Sequence, residues 1–79
     1  MKKKIIDILS EIRPEFDFTQ EGVDFIEEGM LDSFDLVTLV SELDNTFGIS
    51  IDGIDIVSDN FSSVDAIAHL LVKNGAKEE

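Results

Sequence analysis

Apolar residues recur with a helical period in three stretches of this chain and lose that period between them. From Lys3 to Arg13, Ile5, Leu9 and Ile12 stand at i, i+4 and i+7 with Ile8 alongside, which predicts an amphipathic helix. Pro14 ends it, because the residue before a proline is pushed out of the helical region. From Ser33 to Phe47 there is neither Gly nor Pro, and Gly48 follows as a helix stop. At about 100° per residue, Leu36, Leu39, Val40, Leu43 and Phe47 share one arc and form a core face. Phe34 and Val37 fall outside that arc, on the side that carries Thr38, Ser41 and Asn45. The third stretch has Val64, Ile67, Ala68 and Leu71 as its inner stripe, with Leu70 at the border. Ser62-Ser63-Val64-Asp65 reads as the capping box that opens it, and residues 74–79 are expected to fray.

Between these stretches the pattern is mixed. Pro14 to Leu31 holds Phe16, Phe18, Val23, Phe25, Ile26, Met30 and Leu31 among many acids, with room for a short helical turn in Thr19–Glu28. A connection so long in a small domain is uncommon and usually functional, and its aromatic residues are expected to pin it across the helices. Gly48 to Asn60 starts with alternating Ile49 and Ile51, is broken by Gly53, and then predicts a single helical turn over Ile54–Val57. The expectation is one all-α domain over residues 1–79. It is a small four-helix bundle of three main helices and one short helix, with a long loop between the first and second helices.

Charge sharpens the picture. The formal net charge is −12 over 79 residues, and all six Lys and Arg lie near the ends. Between Pro14 and Val72 there are fourteen Asp and Glu and no Lys or Arg, so internal ion pairs are expected to offset little of the repulsion there. Such a surface repels nucleic acid and anionic membranes and attracts basic protein patches. No stretch is apolar for long enough to span a membrane, and Asp7 and Glu11 interrupt the N-terminal apolar run too early for a signal peptide. With no cysteine there is no disulfide, thiolate ligand or thiol nucleophile. The expectation is a cytoplasmic protein that acts as a monomer.

The chemistry concentrates at Gly29-Met30-Leu31-Asp32-Ser33-Phe34-Asp35. Asp32 suits an N-cap, and Asp35 three positions on suits the second half of a capping box. Ser33 then falls on the first turn, where N–H groups are unpaired and the dipole is positive, a favourable place for a phosphate. Catalysis finds no such support. The one histidine, His69, reads as a rim residue, and a serine nucleophile would need a base beside it. Aligning either Gly48 or Gly53 as the sixth residue of an EF-hand loop puts Leu43 or Gly48 first, so no calcium loop fits and no metal is expected.

The stretch Gly29 to Val37 resembles the Asp-Ser-Leu motif of acyl carrier proteins, with Phe34 where that family usually has Leu or Met. The likeness continues through Leu43, Phe47-Gly48-Ile49, the Ile-rich short segment and Phe61-Ser62-Ser63-Val64-Asp65-Ala66-Ile67. The resemblance implies that Ser33 carries 4′-phosphopantetheine, attached from coenzyme A by a separate phosphopantetheinyl transferase, and that Asp32 belongs to that site. Cargo would ride on the arm's thiol as a thioester, and the chain would be a carrier with no catalysis of its own. It also implies that Phe34, Asp35 and Val37, with Thr38 and Ser41 beside them, meet loading and transferring enzymes bearing basic patches. Leu39, Val40 and Leu43 match positions near the space that shelters acyl chains in some members. The resemblance extends to fatty acid and related biosynthesis. Met30-Leu31 stands where fatty-acid carriers have Gly-Ala, and Thr38 and Asn45 where acids are common; the Leu31-Asp32-Ser33 form is instead similar to D-alanyl, peptidyl or specialised acyl carriers. An unmodified acidic adaptor or a nucleic-acid mimic gives Ser33 no reason to stand at a helix start.

The charge pattern yields a test of its own. The screening length is roughly 30 Å at about 0.01 M ionic strength and roughly 8 Å at about 0.15 M. The melting temperature followed by circular dichroism should therefore rise with added salt or millimolar Mg²⁺, while binding to basic partners weakens. A melting temperature that stays flat across the series would remove the acidic surface as a destabilising feature.

Overall fold

The first helix, α1, runs Lys2–Ile12 in the computed structural model, which describes residues 1–77. It buries Ile5, Ile8 and Leu9 and leaves Ile12 half-buried. Arg13 leaves the helical region (φ −133°, ψ 77°), as the residue before Pro14 must. The second helix, α2, spans Ser33–Phe47 and buries Leu36, Leu39 and Leu43. Val40, at one edge of the expected core arc, and Phe47, the last residue of α2, are only half-buried. Gly48 ends α2 in the left-handed conformation (φ +64°), a place where a side chain is strained and glycine is not. The third helix, α3, spans Val64–Lys73 and buries Ile67, Leu70 and Leu71. α1 packs against both α2 and α3. Among the described residues the fold is all-helical and has no strand.

The expected short fourth helix is absent from Ile54–Val57. Two single-turn 3₁₀ helices, Gly53–Asp55 and Ser58–Phe61, stand there instead. The reason is burial. Ile51 and Phe61 enter the core, and the intervening Ile54, Ile56 and Val57 stay exposed, so no turn between them has an inner face. The start of α3 also differs from expectation. Ser63, not Ser62, is the N-cap, and its Oγ accepts the Ala66 N–H at 3.0 Å. Asp65 thus falls one place short of a capping-box partner and pairs with Lys2 at 2.6 Å.

The connection from Arg13 to Asp32 contains turns rather than a regular helix. It is nevertheless held firmly. Phe18 and Phe25 are buried and meet edge to face, with ring centroids 5.0 Å apart. The Phe25 N–H donates to the Ser62 carbonyl at 2.8 Å, which ties the connection to the foot of α3. The Met30 and Leu31 N–H groups both donate to the Phe25 carbonyl, folding the segment back just before α2.

Residues 74–76, expected to fray, are tied down. Gly75 takes φ +101°, which lets the Ala76 N–H reach the Leu71 carbonyl at 2.9 Å and buries Ala76. The Asn74 side chain also accepts the Asp52 N–H at 3.1 Å. The last two residues of the expected frayed tail, 78–79, lie outside the described residues. The acidic stretch likewise receives more cationic help than its sequence promises, because basic residues outside it reach in. Lys73 Nζ lies 2.9 Å from Asp55, and Arg13 contacts Glu15, Asp32 and Asp35.

These burials rank the phenylalanines. Phe61→Ala empties a fully buried site and should cost about 3–5 kcal/mol. Phe34, 85% exposed, should lose no more than about 0.5 kcal/mol as alanine. Phe47, half-buried with Lys4 Nζ 5.9 Å from its ring centre, should fall between. Urea denaturation of the three variants checks the order, and equal losses for Phe34→Ala and Phe61→Ala would overturn it.

Candidate functional site

The start of α2 is built by reciprocal hydrogen bonds. Asp32 Oδ1 accepts the Asp35 N–H at 3.0 Å, and Asp35 Oδ2 accepts the Asp32 N–H at 3.0 Å. This is a complete capping box in which both acids are aspartates. Asp32 takes an extended backbone (φ −118°, ψ −176°), so the chain enters the helix at a defined angle. Ser33 follows as the first helical residue. It is exposed, and among the described residues its hydroxyl has no hydrogen-bond partner.

Arg13 completes the site from the end of α1, a contact that the sequence reading missed. Its Nε donates to Asp35 Oδ2 at 2.9 Å and its Nη2 to Asp32 Oδ2 at 3.3 Å. The Asp35 N–H, with Arg13's charge and the Phe34 N–H as smaller contributions, holds the Asp32 carboxyl below the ordinary aspartate range. Hydrogen bonds to Asp35 and Glu15 in turn raise the Arg13 guanidinium. The signal available in the sequence was position alone. Arg13 is the basic residue nearest the acidic stretch, but nothing in its spacing says that it folds back nineteen residues onto Asp32.

The structure separates the other expected site residues into three groups. Phe34 and Val37 are exposed, at 85% and 70%, and the preceding connection does not cover them. Thr38 and Ser41 share that exposure, and the Thr38 hydroxyl donates back to the Phe34 carbonyl at 3.4 Å. Asp35 points the other way. Its side chain is 12% exposed and engaged by the cap and by Arg13. Leu39 and Leu43 have no exposed surface, while Val40 is half-buried. A cleft of about 470 Å³ lies elsewhere, between the α1 start and the foot of α3, lined by Ile6, Phe18, Gln20 and Ser63.

A family model for the phosphopantetheine attachment site matches residues 3–71, nearly the whole chain. The chain belongs to the phosphopantetheine-binding carrier proteins. Members carry covalently attached 4′-phosphopantetheine, and the carrier's described residues fit that group. They offer an exposed hydroxyl without a partner, on a first turn whose dipole favours a phosphate. The carrier is similar to a D-alanyl carrier protein of Bacillus velezensis, with 31% identity over 74 residues, covering 91% of this chain and 94% of the relative. It is also similar to a D-alanyl carrier protein of Lactococcus lactis subsp. cremoris, with 32% identity over 69 residues, covering 86% and 87%. Among the described residues no helix is long and apolar enough to cross a membrane.

The cap makes a stability prediction with a pH signature. Asp32→Ala should lower the melting temperature by roughly 4–8 °C at neutral pH. Because folding depresses the Asp32 pKa, the stability of its charged form is complete above the unfolded aspartate value. That part is lost as pH falls through the lower folded value. The gap between wild type and Asp32→Ala, measured by calorimetry, should therefore narrow below about pH 4. A gap that widens on acidification would show that the charge of Asp32 opposes the fold.

Proposed function

We propose that Ser33 is the residue that takes the phosphopantetheine, and that the carrier holds an aminoacyl cargo of the D-alanyl kind. The observation that carries the first part is the exposed Ser33 hydroxyl on the first turn of α2, directly after the capping Asp32. When bound, the arm supplies the thiol that the cysteine-free chain lacks, and cargo attaches to it as a thioester. The chain's own part is to hold Ser33 outward, to keep a dipole behind its phosphate, and to present a docking face.

The names of the relatives support the D-alanyl cargo, as does the Leu31-Asp32-Ser33 form of the motif. The packing agrees with it. Leu39 and Leu43, which would border a shelter for a long acyl chain, are fully enclosed, and a small aminoacyl group needs no such shelter. A fatty acyl cargo remains the alternative that the wider family resemblance suggests. In this reading a phosphopantetheinyl transferase and the loading enzymes meet the carrier through the exposed Phe34, Val37, Thr38 and Ser41. Their basic patches are attracted by the net charge of −12.

Intact mass after incubation with coenzyme A and a promiscuous phosphopantetheinyl transferase tests the site. The wild-type chain should gain one phosphopantetheine, and Ser33→Ala should gain none while keeping its helical circular dichroism. A mass increase that persists in the variant would move the site to Ser41, Ser62 or Ser63. The modified carrier should then be loaded faster by an enzyme that activates D-alanine than by one that activates long-chain fatty acids. The reverse order would overturn the assigned cargo.

A further inference from the structure

Arg13 lies one residue beyond α1, yet its guanidinium is spread over the start of α2. It contacts Asp35 at 2.9 Å, Asp32 at 3.3 Å and Glu15 at 3.3 Å. The first two carboxylates are the two halves of the capping box. Asp35 Oδ2 receives both the Arg13 Nε–H and the Asp32 N–H. The guanidinium, two carboxylates and two backbone N–H groups therefore close a hydrogen-bonded ring, and Ser33 stands inside the loop of chain that the ring encloses.

The ring has two physical effects on that serine. Geometrically, a planar fork that holds both carboxylates fixes them relative to each other, and so fixes the first turn. Arg13 is 31% exposed and Asp35 12%, so the contact is partly sheltered from water and less screened than an open surface pair. Electrostatically, Asp32 and Asp35 are two negative charges on either side of a hydroxyl that must meet an anion. Arg13 cancels one of them.

We propose that Arg13 is a positioning residue for the arming of Ser33, holding the first turn of α2 in the form that a phosphopantetheinyl transferase can use. The proposal rests on the reading of Ser33 as the attachment site. In the reaction, the Ser33 Oγ–P bond forms as the P–O–P bridge of coenzyme A breaks. Adenosine 3′,5′-bisphosphate leaves, and the serine proton passes to a base of the transferase or to solvent. Arg13 touches none of the reacting atoms. It acts through Asp32 and Asp35, by holding the backbone turn that carries Ser33 and lowering the negative potential that the pyrophosphate meets on approach.

The test is the kinetics of phosphopantetheine transfer, followed by intact mass, with the whole chain, coenzyme A and one promiscuous transferase. Wild type, Arg13→Met and Arg13→Lys are compared at a temperature where circular dichroism shows each of them folded. Arg13→Met should lower kcat about tenfold with KM for the carrier within about twofold, the pattern of lost positioning. Arg13→Lys, which keeps the charge but not the fork, should recover part of the loss, and it carries the comparison if the Met variant melts too low. Amide exchange of Asp35 and Leu36 in the unmodified protein should quicken in Arg13→Met and less so in Arg13→Lys. An unchanged kcat overturns the proposal, as does a rise confined to KM, which would make Arg13 a contact of the transferase itself. A wild-type chain that takes no phosphopantetheine defeats the reading of Ser33. A modified wild type matched by Arg13→Met defeats only the role of Arg13.

Discussion

The start of α2 depends on bringing two carboxylates together in a chain that already carries too many. Asp32 and Asp35 must approach each other to cap α2, and each brings a negative charge to the same turn. The unpaired N–H groups and the helix dipole offset part of that repulsion. The guanidinium of Arg13 offsets more, and it comes from another helix end, so capping α2 and seating α1 become one event. An isolated pair with this exposure would contribute little. The shared ring makes each contact conditional on the others, as in any side-chain network.

The exposed face of α2 follows from how its interior is filled. Leu36, Leu39 and Leu43 take the inner positions, which leaves Phe34 and Val37 no route to the core. A second set of exposed apolar residues, Ile54, Ile56 and Val57, sits on the 3₁₀ segment, and polar bonds hold that segment instead of burial. Asp52 accepts the Ile54 N–H at 3.3 Å, Lys73 grips Asp55 at 2.9 Å, and Asn60 Nδ2 donates to the Asp55 carbonyl at 2.7 Å. The backbone that carries each set is therefore held before anything binds, which lowers the ordering cost of recognition.

Much of this could be read from the residues, because the periods of α1, α2 and α3 are long enough to declare themselves. The α2 boundaries were legible for a further reason: Asp32 and Gly48 are the residue types that a helix start and stop require. The misses have two causes. Ala76 is anchored by the local turn at Gly75, whereas the one-residue shift from Ser62 to Ser63 and the two 3₁₀ turns in place of a short helix depend on contacts between distant segments. Phe25 must bond Ser62, and Asn74 must bond Asp52, before those local choices are decided. Arg13 is the clearest instance. Its charge was visible, and its destination was set by how α1 leans on α2.

No polar side chain is buried among the described residues, and no buried side-chain polar atom lacks a partner. An interior of this kind asks only for apolar residues of suitable volume, a demand that many sequences meet. Polar recognition is written wholly on the outside, where substitutions disturb packing least. Core and surface can therefore diverge at different rates, with volume constraining one and the partner enzymes constraining the other. A scaffold divided in this way can be given different partners by rewriting its exterior, with the fold left standing throughout.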